Sequence, residues 1–102
     1  MNRLEYFKVA LESVENMVEL GLVPQFSFTS YQGDFSKLHI LTETEVLVDV
    51  RPGWGGHWYL SIWQDKQGEP IMVIRTAKPA YGTNWLIVTG ISLMRVEYGQ
   101  RH

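Results

Sequence analysis

The chain contains no cysteine, which removes a disulfide framework, a thiolate zinc site, an iron–sulfur cluster and a cysteine nucleophile together. It also lacks any run approaching the ~20 apolar residues that a membrane-spanning helix needs, and no positively charged leader precedes an apolar stretch at its start. A soluble, cytoplasmic protein that neither spans a membrane nor is exported is therefore expected. Phosphate-cradling patterns of the G-x-G-x-x-G or G-x-x-x-x-G-K-[ST] type do not occur, nor do G-x-S-x-G, H-x-x-x-H or H-E-x-x-H. The loop, elbow and zinc-ligand geometries that those spacings build are thus not signalled. No cofactor and no metal site is expected. A concentrated basic stripe is missing as well: the 102 residues carry a net charge of −2, which disfavours unaided attraction to nucleic-acid phosphates.

The charge is nevertheless uneven. Residues 1–50 hold three basic and eight acidic side chains, and residues 51–102 hold six basic and three acidic ones. The halves can face each other within one fold, or steer subunits together. A chain of this length is long enough to bury a core without covalent staples, so one domain spanning residues 1–102 is expected.

Within it, the periodicity predicts a helix from about Asn2 to Leu20. Leu4, Phe7, Leu11, Val14 and Val18 recur at spacings of three and four, while Glu5, Lys8, Glu12, Glu15 and Glu19 form the opposite stripe. Asn2 and Glu5 have the spacing of a capping box, Gly21 supplies a left-handed stop, and Pro24 prevents continuation. Tyr6, Ala10 and Met17 widen the apolar stripe on one flank, as suits a helix lying on a sheet.

From residue 25 the period is two. Strands are expected at Phe26–Phe28 and Leu38–Ile40 about a Gln32–Asp34 turn, and at Glu45–Arg51, with Thr42–Thr44 read as a turn in preference to a bend in one long strand. His57–Gln64 and Ile71–Thr76 form a hairpin through Asp65–Gly68. Trp85–Thr89 and Leu93–Tyr98 follow, with Gly90 as a bulge or turn between them. The fold class is α+β: one N-terminal amphipathic helix packed on a strongly bent antiparallel sheet of five to six strands, with a small closed barrel as the alternative. Trp58, Leu60 and Ile62 face one way and His57, Tyr59 and Trp63 the other. Ile71–Ile74 and Trp85–Val88 are apolar without alternation, so the middle strands require cover on both faces. One helix covers one face. Closure of the sheet, a second subunit or an apolar ligand would cover the rest.

The segment Val88-Thr89-Gly90-Ile91-Ser92-Leu93, with Val96, resembles the last two strands of Sm-like RNA-binding domains in its glycine and flanking apolar residues. The arginine expected before that glycine is Thr89, the polar residue after it is Ile91, and no Asp-x-x-Asn follows from Asp49. The positions that would contact RNA are lost, and no membership is inferred.

The most unusual stretch is Asp49–Tyr59, where glycines surround Trp54. Arg51, Trp54, His57, Tyr59 and Trp63 are the candidate ligand or interface residues, combining flat aromatic walls with hydrogen-bonding groups. The expected function is a non-enzymatic binding or interaction module, acting as a homodimer, with an aromatic-lined pocket or interface for a small apolar or aromatic ligand or a protein partner. The alternative is a small enzyme in which Asp49 and His57 form an acid–base pair and Arg51 holds an anion. A nucleic-acid-binding small barrel is the least favoured reading.

Overall fold

The computed structural model describes residues 1–31, 37–50, 57–76 and 85–94. Its first element is α1, Arg3–Glu19. Asn2 caps it by accepting the Glu5 backbone N–H at 2.8 Å, and the Glu5 carboxylate reaches back to the Asn2 side-chain amide at 3.5 Å. At the other end Gly21 has φ +79°. The Gly21 N–H bonds the Val18 carbonyl and the Leu22 N–H bonds the Met17 carbonyl at 2.8 Å, so the last carbonyls are satisfied by a Schellman turn. Both expected helix ends are thus realised by identifiable groups.

Among the described residues six strands follow: β1 Val23–Ser30, β2 His39–Ile40, β3 Val46–Val48, β4 Trp58–Gln64, β5 Pro70–Thr76 and β6 Trp85–Met94. They form one antiparallel sheet in the order β1-β6-β5-β4-β2, with β3 also paired to β4. The sheet stays open rather than closing into a barrel. Pro24 lies in β1, an edge strand, where a missing N–H costs no ladder bond on the outer side. The expected β4–β5 hairpin is present. Asp65 Oδ1 accepts the backbone N–H groups of Gln67 and Glu69 at 2.8 and 2.9 Å, and Gly68 takes the positive φ of +83° that the turn demands.

Three expectations need correction. First, Thr42–Thr44 does not reverse the chain: β2 and β3 run in the same direction along one edge of β4, through Ile40↔Trp63 and Val46↔Leu60. Residues 41–45 bulge out against only Ser61 and Ile62, so the segment is a bend in one interrupted strand. Second, β1 and β2 are not neighbours but lie at opposite sides of the sheet; the Gln32–Asp34 turn expected between them lies outside the described residues. Third, of the bulge or turn expected at Gly90 the structure has the bulge, so β6 runs unbroken to Met94; residues 95–98 of the expected Leu93–Tyr98 strand lie outside the described residues. Ser27 pairs with Gly90 but Phe28 pairs with Val88, which leaves Thr89 as the extra residue of a β-bulge. A one-residue insertion inverts the side-chain alternation, so Leu86, Val88 and Ile91 all join the helix-side core while Trp85 and Ile87 pack on the other side. The unbroken apolar run is thereby explained. The same continuity removes the two-strand ending that the Sm-like resemblance implied.

On the helix side, Leu11 and Val14 of α1 pack with Phe26, Val46, Val48, Val50, Trp58, Leu60, Ile62, Met72 and Ile74. The opposite face has its own smaller cluster, Leu38, Ile71 and Val73, with Tyr31, Trp63, Trp85 and Ile87 against it. Tyr31 and Leu38 flank the β1-to-β2 connection. These two residues therefore contribute cover to the helix-free face, which sequence reasoning assigned to a partner, a ligand or sheet closure. No helix among the described residues is long and apolar enough to cross a membrane.

Candidate functional site

The helix-free face carries an aromatic and charged cluster. Register across β4 and β5 sets Tyr59 opposite Arg75 and Ser61 opposite Val73, and β5–β6 pairing sets Arg75 opposite Trp85. Strand pairing alone thus lines up Tyr59, Arg75 and Trp85 in one cross-strand row. The Arg75 guanidinium lies 5.4 Å from the Tyr59 ring centroid and 6.0 Å from that of Trp85, within the range of cation–π attraction. Trp85 in turn meets Trp63 edge to face, with centroids 5.1 Å apart.

Hydrogen bonds fix the polar atoms among these rings. Arg75 Nε and Nη2 donate to the two carboxylate oxygens of Glu45 at 2.9 and 2.6 Å. Its Nη1 donates to the Thr76 carbonyl at 3.0 Å. The fully buried Ser61 hydroxyl donates to Glu45 Oε2 at 3.4 Å and accepts the indole N–H of Trp63. One connected path therefore runs from Trp63 through Ser61 and Glu45 to Arg75. It satisfies the buried hydroxyl and holds the guanidinium in one orientation.

Of the residues singled out from sequence, Tyr59 and Trp63 belong to this cluster. His57 is exposed and immediately precedes β4; Arg51 and Trp54 lie outside the described residues. Asp49 is exposed just after β3. The ladder ends at Val48↔Trp58, so Asp49 and His57 are each one residue beyond it, and no ion pair joins them among the described residues. Ser61 is sealed from solvent and committed to Glu45, so it is not presented as a nucleophile. Among the described residues no three His, Asp or Glu side chains come together as a metal site.

Sequence reasoning missed Arg75, Trp85 and Ser61 as members. The signal was available in part: Arg75 is the single charge in the apolar strand Ile71–Thr76, and a charge in such a place needs a partner. Its partner, Glu45, lies thirty residues away and becomes identifiable only once β3 is placed beside β4.

No protein-family model matches the chain, and no match is found among curated proteins or solved structures.

Proposed function

We propose that the protein is a non-enzymatic interaction module that self-associates through the helix-free face of its sheet. The observation that carries this reading is the Arg75 guanidinium held against Tyr59 and Trp85 by a bidentate bond to Glu45. Tyrosine, tryptophan and arginine are the residue types that dominate binding energy at interfaces, and a side chain fixed in advance loses little entropy on association. Apolar residues flank the cluster on the same face. Leu47, opposite Tyr59, is 48% exposed, and Ile40, opposite Trp63, is 45% exposed. An apolar margin around an aromatic and arginine centre suits a two-fold contact between identical surfaces. Cytoplasmic residence belongs to the same reading, on composition alone.

The test is the mass in solution, by light scattering or sedimentation, across micromolar concentrations. A dimer is expected for the natural chain and a monomer for the Leu47→Glu, Ile40→Glu double variant. A natural chain that stays monomeric throughout, or a dimer that both glutamates leave intact, overturns the proposal.

A further inference from the structure

We infer that the cleft between α1 and the bulged half of β6 binds a small, neutral, apolar molecule. The cleft is a product of the sheet's own irregularity. The β5–β6 ladder ends at Val73↔Ile87, whereas β6 continues against β1 as far as Met94. The ladder is not continued beyond that last pair, and the bulge at Thr89 lies just past it. Met72 of β5 and Val88 and Ile91 of β6 line the opening, and the flank of α1 bearing Tyr6, Ala10 and Met17 lies over it. The open cleft has a volume of about 380 Å³, inside the range of roughly 300–1,000 Å³ typical of small-molecule sites.

Charge decides the class of ligand. None of the described residues lining this cleft is Asp, Glu, Lys, Arg or His. The groove on the other flank of α1 is lined by Lys8, Glu12, Glu15 and Glu43, and the one beside the β4–β5 turn by Lys37, His39, Asp65 and Lys66. Among the described wall residues a charged ligand group finds no partner, whereas an apolar one gives up nothing. The Ser13 hydroxyl is already donated to the Val9 carbonyl at 3.0 Å, which limits the polar contacts the walls offer.

At the rim Tyr6 is 61% and Val9 48% exposed, so the mouth of the cleft is itself apolar. A small molecule fits the concavity. This site lies on the helix side of the sheet and is independent of the self-association proposed for the opposite face.

Titration with the neutral probe N-phenyl-1-naphthylamine, followed by its fluorescence, tests the inference. The natural chain is expected to bind one probe per chain, saturably and with a blue shift. Ala10→Trp, which fills the cleft from the helix flank, should weaken binding by about tenfold or more. Glu12→Trp, on the charged flank of the same helix, should leave it within about twofold, and so should the Leu47→Glu, Ile40→Glu variant. Circular dichroism establishes that each variant is folded, and Ser13→Trp replaces Ala10→Trp if the latter is not. Absence of saturable binding, retention of binding in the filled variant, or equal loss in Glu12→Trp overturns the assignment. Loss in the Leu47→Glu, Ile40→Glu variant moves the probe to the helix-free face and also overturns it. A natural dimer that Ala10→Trp dissociates would show that a second copy, not a small molecule, occupies the cleft.

Discussion

Arg75 grips both carboxylate oxygens of Glu45 across the intervening strand β4, at 2.9 and 2.6 Å. The side chains are only 17% and 22% exposed. Most of the hydration of both charges is therefore lost on folding, and each depends on the other for compensation. The pair also closes the polar path through Ser61 and Trp63, so its removal is felt beyond the two residues.

Arg75→Leu and Glu45→Leu should each lower unfolding stability by about 1–3 kcal/mol, because each leaves a partly buried charge without its partner. The Arg75→Leu, Glu45→Leu double variant should lose less than the sum of the two. Glu69→Ala, which breaks the Arg3–Glu69 pair whose side chains are 56% and 59% exposed, should change stability by under ~0.5 kcal/mol. Urea unfolding of the four variants beside the natural chain measures all of this, and a double variant that loses the full sum would show that Arg75 and Glu45 do not stabilise each other.

Insertion of one residue after Thr89 should be far more damaging than replacement of Thr89. With a second extra residue in a bulge that accommodates one, Ile91 would rotate from the helix-side core to the opposite face, losing burial of about 1.5–3 kcal/mol, and Phe26 would lose its cross-strand neighbour. Thr89→Ser keeps the residue count and should stay within ~0.5 kcal/mol of the natural chain. Thermal melts of both variants distinguish a counting effect from a side-chain effect.

Gly21→Ala should cost about 1–2 kcal/mol, the penalty of an L side chain in the left-handed region, since φ there is +79°. A Cβ at this position meets nothing within 4 Å, so the cost is conformational and not steric. Gly21→Asn, which tolerates that region better, should recover part of the loss. Equal melting temperatures for the Ala and Asn variants would contradict this account.

Leu60→Ala and Leu47→Ala separate the covered face from the free margin. Leu60 is fully buried under α1, and its truncation should cost about 2–5 kcal/mol through lost contacts and the cavity left behind. Leu47→Ala should change monomer stability by under ~0.5 kcal/mol. Under the proposed self-association it should instead raise the dimer dissociation constant, which sedimentation at falling concentration reads directly.

The helix, its two ends and the β4–β5 hairpin were legible in the residues because each depends on local chemistry: apolar spacing along α1, the Asn2 cap, Gly21, and the Asp65–Gly68 turn. The two-faced character of the central strands was also legible, as a surplus of apolar residues that one helix does not cover. Tyr59 and Trp63 were correctly placed on a common face by alternation alone. What alternation does not carry is strand order. That β2 and β3 form one interrupted strand, that β1 and β2 occupy opposite sides of the sheet, and that Thr89 is an extra residue are all statements about pairing between distant segments, and similar β-sequences are compatible with several pairings. The packing that buries the most apolar surface and leaves the fewest unpaired polar groups selects among them. Arg75 found Glu45, and the helix-free face found Tyr31 and Leu38, only through that selection. The residues by themselves determined which surfaces had to be covered; the tertiary structure decided which parts of the chain cover them.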